Sequence, residues 1–361
     1  MDLVVDGVIY EQQALGGISR IFNEVLPVLC DLDASLRVEL RSLDKFRLQT
    51  LPAHAHIRPA TIPQARPARL MRALAPVVQE QLRAGRPRRA VFHSTYYTTP
   101  PLWLGPRVVS AYDTIHVRYA DEWSRPDDEA FRRLQRRAVR AADAVVCISE
   151  TTRQDLVEWC GADPDRLHVV HLSHSPVFHA GPDGRPPASP FVLYVGGRAA
   201  AYKGFDTLLD AYARWPLAPD IGLTVVGTPW IDEERSRLTR LAPAGRIRLL
   251  SDVDDASLAD LYRSAAAFVY PSRYEGFGIP LLEAMACRCP LVASRIPTTV
   301  EVAGDVPHFF EPGDVDGLAD ALTRAVGDGR ESPRLSRGEA RAQTFSWTRA
   351  AAETLAVYRS L

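Results

Sequence analysis

Lysine is nearly missing from this chain of 361 residues: only Lys45 and Lys203 occur, and every other one of the 43 basic residues is arginine. With 28 prolines and abundant alanine, that usage fits GC-rich coding. The charges nearly cancel to a formal −1, which argues against a general nucleic-acid binder, because such proteins carry a strongly basic surface. No apolar run approaches the ~18 residues of a membrane-spanning helix. The start, MDLVVDGVIYEQQ, has neither a basic leader nor a long apolar core, so no signal peptide is expected and a cytoplasmic location is. Cysteine is sparse. Cys30, Cys147, Cys160, Cys287 and Cys289 are scattered, and the last two are too close in sequence for the usual metal pair. They read as small buried apolar residues rather than zinc ligands or disulfides. The nine histidines form no HExxH-type pair.

What is present is an alternation of short β-branched runs with amphipathic stretches. LVVDGVIY (3–10), AVFHS (90–94), RVVSAY (107–112) and AVVCIS (144–149) read as buried strands, and GGISRIFNEVLPVL (16–29) as a glycine loop opening a helix. From 176 to 190, PVFHAGPDGRPPASP breaks the pattern with Pro and Gly and reads as a linker. The alternation resumes with FVLYVGG, LTVVG, RIRLL, AAFVYPS and PLVAS, separated by helical segments. This predicts an α/β chain of two doubly wound parallel-sheet domains, 1–175 and 191–343, with a C-terminal helix over 344–361 packing back on the first domain. Ligands in such folds bind beyond the carboxyl ends of the strands, and the cleft between facing domains is the default site.

Two segments carry chemistry. YEGFGIPLLE sets Glu275 and Glu283 eight residues apart, between the strand AAFVYPS and the helix IPLLEAMACR. Gly276 and Gly278 allow close approach of a ligand, and the amides opening the helix suit an anion. A glycine-rich turn with two solvated acids has the same spacing. The second segment follows FVLYV: Gly196-Gly197-Arg198, then Tyr202-Lys203-Gly204. Arg198 and Lys203 suit a diphosphate clamp, or form an ordinary surface pair. A lysine retained in an arginine-dominated chain favours the first.

These residues resemble retaining GT-B glycosyltransferases of family 4. EGFGIPLLEA resembles the family's E-x7-E motif, and YVGGRAAAYKGFDTLLDAY its donor-domain opening. GGISRIFNEVL, VVSAYDTIHVRYAD, ADAVVCISETTRQDL and FSWTRAAAETLAVY extend the resemblance over the whole chain, in order. It implies two Rossmann-like domains, the first for the acceptor and the second for a nucleotide-sugar donor, with no metal. It also implies that Glu283 holds the ribose, Glu275 the transferred sugar, and Arg198 and Lys203 the diphosphate. The backbone of Phe277, Gly278 and Ile279 would bind phosphate or sugar oxygens, Gly17 would approach the diphosphate, and Val253 would lie beside the base. Where many members carry a histidine, this chain has Tyr112, with His116 four residues on and Val117 in place of a usual glutamate. His116 then orients acceptor or sugar, or is a structural loop residue; Asp113 is an acceptor-side acid or a turn cap. Asp252-Val253-Asp254 matches D-x-D as a string only.

The GGISR and YD-x-IH variants resemble mannosyltransferases of surface-polysaccharide assembly. GDP-mannose is therefore the leading donor, ahead of UDP-sugars or dTDP-rhamnose, with a glycan or lipid-linked acceptor. A catalytically silent sugar-binding or scaffold protein of the same fold is the alternative, and the four retained charged residues speak against it. With only two lysines, neither in a suitable context, a pyridoxal-dependent phosphorylase is ruled out. Between Asp44 and Asp113 the sole acid is Glu80, against eleven basic residues. That stretch, 45–107, predicts either a solvated face or peripheral contact with anionic membrane. ARPARLMRALAPVVQEQLRAGRPRR within it reads as an arginine-faced helix that Pro76 interrupts.

Overall fold

The computed structural model describes residues 1–12, 17–42, 53–61, 76–86, 89–120, 128–181, 189–229, 234 and 246–361. The chain divides into two compact units: Met1–Leu172 with Ser346–Leu361, and Ser173–Phe345. Each is built on one parallel sheet.

In the first unit the strands are β1 (Asp2–Asp6), β2 (Arg37–Ser42), β3 (Ile57–Thr61), β4 (Val91–Ser94), β5 (Arg107–Ala111), β6 (Ala144–Cys147) and β7 (Leu167–Val169). Their spatial order is β3-β2-β1-β4-β5-β6-β7, and every pairing is parallel. β4 and β6 are buried at every position, which is why they read as unbroken apolar runs. β2 alternates instead, with Val38, Leu40 and Ser42 buried. The helix Gly17–Leu32 turns Phe22, Val25, Leu26 and Leu29 inward. It packs with the C-terminal helix Trp347–Arg359, which inserts Tyr358 into the core of the first unit.

The stretch 3–10, one strand by its apolar pattern, is two elements. β1 stops at Asp6, and the helix Val8–Gln12 begins immediately. Gly7 makes the break: its N–H donates to Arg41 O at 2.5 Å, while its carbonyl accepts from Tyr10 and Glu11. A Cβ there would sit 2.7 Å from Arg41 O, so only glycine fits. Near 76 a helix does occur, but it begins at Pro76 and runs to Ala84. Proline is tolerated in a first turn, where its missing donor costs little. The preceding part of the arginine-rich segment, 65–75, lies outside the described residues.

In the second unit the strands are β8 (Phe191–Val195), β9 (Gly222–Val226), β10 (Ile247–Leu250), β11 (Ala267–Tyr270), β12 (Leu291–Ser294) and β13 (His308–Phe310). The order is β10-β9-β8-β11-β12-β13, again all parallel. One face is closed by the helices Phe205–Arg214 and Val315–Asp328, whose Leu208, Leu209, Tyr212, Leu318 and Leu322 join Val192, Val225 and Val269 in a single core. All five cysteines are free and buried. No helix among the described residues is long and apolar enough to cross a membrane.

Both sheets reverse direction once. In the first the chain winds outward from β1 and then restarts at β4 on its other side; in the second it does so from β8 and β11. At such a switch point the two loops leave the carboxyl edge in opposite directions and open a crevice.

Candidate functional site

The loops that follow β8 and β11 meet at the second unit's switch point. Gly204 adopts φ +67°, and a Cβ there would lie 2.0 Å from Pro271 O, so glycine is what lets the two loops touch. Arg273 N donates to Tyr202 O at 2.6 Å and ties them together. Across this junction Lys203 Nζ donates to Glu275 Oε1 and Oε2 at 2.8 and 3.0 Å. The two side chains retain 25% and 11% exposure, so the pair stands at the floor of the crevice rather than in the core.

Glu275 is fixed on several sides. Ser272 Oγ donates to Oε1 at 2.6 Å, and the Tyr270 hydroxyl bonds the same carboxylate. Thr298 Oγ1 holds the Glu275 carbonyl at 2.7 Å. Burial, with Glu275's charge added, holds the Tyr270 phenol well above its ordinary value, so it stays a neutral hydroxyl. Beyond Glu275, Phe277 is buried against Phe345 at 6.0 Å between centroids. Gly278 at φ +109° opens the helix Ile279–Ala286, with Pro280 in its first turn. The opening amides of a helix lack intrahelical acceptors and carry the positive end of its dipole. Lys203 and this helix start therefore lie along one loop system.

The other candidates sit apart from that pair. Arg198 is buried; its Nε and Nη2 reach Glu234 at 3.0 and 3.1 Å, and Nη2 also donates to Thr228 O at 2.8 Å. Gly227 leaves room for it, since a Cβ there would meet Nη1 at 2.9 Å. Glu283 is buried within its helix and accepts the Tyr262 hydroxyl at 3.1 Å. Val253 is half-buried past β10, between Asp252 at φ +55° and Asp254. Asp254 caps the helix Asp255–Ser264 by accepting Ser257 N at 2.8 Å. The D-x-D string is thus a turn and a helix cap. Among the described residues no three His, Cys, Asp or Glu side chains converge as metal ligands would.

The first unit's switch point has different contents. Asp6, at the end of β1, is fully buried and accepts Thr95 N at 2.7 Å, Thr95 Oγ1 at 2.5 Å and the Thr98 hydroxyl. Burial raises its pKa against the pull of these donors. Tyr112 is buried beside it and donates to Thr95 O at 2.9 Å, which commits its hydroxyl to the core. Asp113 accepts Ile115 N at 3.0 Å and so caps the turn. His116 lies on the helix Ile115–Arg118, with Nδ1 3.1 Å from Asp128 Oδ1. Gly17 is exposed at the start of its helix, with open space where a side chain would project. Of the eleven basic residues of 45–107, Lys45, Arg47, Arg66, Arg69, Arg72 and Arg88 lie outside the described residues. Arg83 pairs with Glu11 at 2.7 Å, and Glu80 is buried against Arg137.

Ser272, Tyr270, Glu234 and Asp128 complete these arrangements without standing out in sequence. Ser272 had a local signal, three residues before Glu275 in the same loop. Glu234 and Asp128 are acids among many, and only the fold pairs them.

Comparison with known proteins identifies the arrangement. Residues 16–173 match the family model Glycosyltransferase Family 4, and 181–342 match Glycosyl transferases group 1. The O-antigen chain mannosyltransferase B of Escherichia coli is 27% identical over 79% of this chain and 81% of its own length. The MMP alpha-(1->4)-mannosyltransferase of Mycolicibacterium hassiacum is 31% identical over 68% of this chain and 61% of its own length. Among solved structures, Anabaena HepE in complex with UDP-glucose superposes with a TM-score of 0.74 at 17% identity, covering 100% of both chains. That structural likeness shows the fold. With two parallel-sheet units and a matching family model on each, the chain belongs to the family 4 glycosyltransferases and has the GT-B fold.

Proposed function

We propose that the chain moves a hexose, mannose from GDP-mannose, onto a hydroxyl of a glycan or lipid-linked acceptor, with retention and without a metal. The observation that carries this reading is the Lys203–Glu275 pair at the second unit's switch point, one loop from the opening of the helix Ile279–Ala286. A diphosphate needs cationic and N–H donors where its charge grows, and a sugar needs a carboxylate for its hydroxyls. In this reading Lys203 neutralises the departing diphosphate, aided by the helix amides at Gly278 and Ile279 and the backbone of Phe277. Arg198 adds to it by sharing its guanidinium between Glu234 and the donor. Glu275 takes hydroxyls of the transferred sugar, Glu283 the ribose, and the backbone at Val253 the base. Gly17 and His116 belong to the first unit's contribution.

The bond from the anomeric carbon to the phosphate oxygen breaks. The acceptor oxygen bonds to the same face, and its proton passes to the departing phosphate oxygen. Two named relatives are mannosyltransferases, which favours mannose. The UDP-glucose in HepE keeps UDP-sugars as the competing donors. The setting is polysaccharide or glycoconjugate assembly in the cytoplasm, with peripheral membrane contact through 45–107. Salt-sensitive binding to vesicles containing anionic lipid supports that contact, and no binding at low salt removes it.

The direct test follows nucleotide release from GDP-mannose, UDP-glucose and dTDP-rhamnose, with and without oligosaccharide acceptors. NMR of the product reads its anomeric configuration. GDP release with an α-linked product is expected. An inverted product, or release from UDP-glucose alone, overturns the retention or the mannose assignment respectively.

A further inference from the structure

The second unit has a basic groove along one edge of its sheet, to which the donor-side chemistry gives no role. Among the described residues β13 is the last strand of that sheet and pairs with β12 alone. Phe310 O accepts Arg295 N at 2.8 Å, so the N–H and C=O of Phe309 turn to the outer edge, where a terminal strand leaves its backbone groups unpaired. The Phe309 carbonyl there meets Arg324 Nη2 at 3.5 Å. Side chains of β13 and of the helices Pro297–Ala303, Val315–Asp328 and Pro333–Ala342 surround a concavity of about 460 Å³. Its lining includes Arg295, Val300, His308, Phe309, Arg324 and Arg334. That volume lies within the ~300–1,000 Å³ of an ordinary small-molecule pocket.

The cations of this groove differ from other arginines of the unit. Arg341 and Arg330 are committed to backbone carbonyls, their Nη2 atoms reaching Glu301 O at 2.6 Å and Ala265 O at 2.8 Å. Arg334 is partly committed, donating to Asp305 O at 2.9 Å. Arg324 is exposed and has no ion pair among the described residues. Arg295, 55% exposed, lies 3.7 Å from Glu311 and stacks over the Phe309 ring at 4.4 Å. The nearby acids are answered first by other groups: Asp305 by Arg337 at 3.1 Å, and Asp328 by His308 at 2.9 Å, with Arg334 at 3.7 Å. Burial, with Arg334 and Arg324 close by, holds the His308 imidazole below its ordinary pKa against the pull of Asp328. The groove therefore keeps a surplus of positive charge.

Guanidinium groups present planar forks of N–H donors that match phosphate oxygens. A phosphomonoester brings about two negative charges and three acceptor oxygens, which suits several cations around one concavity better than the single charge of a carboxylate. Val300 and Phe309 give the same concavity an apolar side. We propose that this groove binds a soluble phosphomonoester of sugar-phosphate size, with its phosphate on Arg324 and Arg334 and its carbon skeleton against Val300 and Phe309. The site shares no residue with the Lys203–Glu275 crevice and does not rest on the transferase reading.

Calorimetric titration of the full chain with mannose 1-phosphate, glycerol 3-phosphate and inorganic phosphate tests it. Carrying Lys203→Ala as the background removes the crevice's cation, so that phosphate bound there does not mask the groove. At least one of the two esters should bind that chain saturably and more tightly than inorganic phosphate. Adding Arg324→Ala, an exposed position whose loss leaves the core intact, should weaken the ester at least about ten-fold, the scale of one charge-assisted hydrogen bond. No saturable binding of either ester, or the same affinity with and without Arg324→Ala, overturns the site. A preference for inorganic phosphate overturns the size assigned to the ligand. Binding to vesicles containing phosphatidic acid with no binding of the soluble esters overturns the soluble ligand in favour of a lipid headgroup.

Discussion

The two units share one topology but put opposite chemistry at equivalent places. At the second unit's switch point the chain leaves a partly buried ion pair, Lys203 with Glu275, on loops bridged through Gly204. At the first unit's, it fills the crevice with a buried carboxylate, Asp6, satisfied by Thr95 and Thr98. A buried acid answered by three neutral donors stiffens the junction of β1 and β4 and leaves little for a ligand to contact. A pair of opposite charges that keeps some access to solvent can exchange partners with a charged ligand. The same sheet design thus yields a structural plug in one unit and a candidate reaction site in the other.

The comparison breaks most plainly through the ion pair. Glu275→Ala and Lys203→Ala are each expected to lower turnover at least ~100-fold, the scale of a lost transition-state contact, with melting temperature nearly unchanged. Turnover within a few-fold of wild type in either variant would remove the residue from the site. Asp6→Ala should do the reverse. It strands the Thr95 amide and hydroxyl donors in the core, while the Thr98 hydroxyl keeps Ser94 Oγ at 3.0 Å, so a loss of about 2 kcal/mol in denaturant unfolding is expected. A loss below about 0.5 kcal/mol would mean that the plug is not structural.

His93 sharpens the contrast through pH. It is buried in the first unit between the Tyr358 hydroxyl at 2.5 Å and Ser110 Oγ at 2.9 Å, and burial lowers its pKa from 6.5 to about 3. The unfolded chain binds this proton below pH 6.5 and the folded one does not. Its contribution is therefore complete above 6.5 and is lost as pH falls towards 3. The wild type should lose up to about 1.4 kcal/mol per pH unit more than His93→Gln across that window. Parallel stability curves for the two would show that the histidine is not held neutral. The smallest effect is expected of Ser272→Ala, which removes one of several supports of Glu275. Turnover should fall about five-fold with stability retained, and a fall as large as that of Glu275→Ala would make Ser272 more than a positioning residue.

Strand positions are legible in the sequence where burial is complete, as in AVVCIS and AAFVYPS, because a doubly covered strand has no polar alternation. VELRS of β2 is harder to see for the opposite reason: its outward positions are charged. The stretch 3–10 misleads because Val8, Ile9 and Tyr10 are apolar in a helix as they would be in a strand; only Gly7's contact with Arg41 separates the two. In the site, Glu275 and Lys203 are legible because each lies in a glycine-bounded loop directly after a buried strand. That they bond to each other is not, since the contact depends on β8 and β11 being neighbours in the sheet. Asp6 meets Thr95 across 89 positions and Arg198 meets Glu234 across 36, distances over which no local pattern reports. His116 shows the same limit: the residue is visible, but its partner Asp128 comes from the next helix.

The proposed reaction divides the labour within the second unit's pair, Lys203 for the diphosphate and Glu275 for the sugar. Calorimetric titration of the full chain and both alanine variants with GDP and with GDP-mannose tests it most directly. Lys203→Ala should weaken both ligands at least about ten-fold, whereas Glu275→Ala should weaken GDP-mannose and leave GDP as in the wild type. Wild-type affinity of Lys203→Ala for GDP, or equal losses for both ligands in Glu275→Ala, would contradict it.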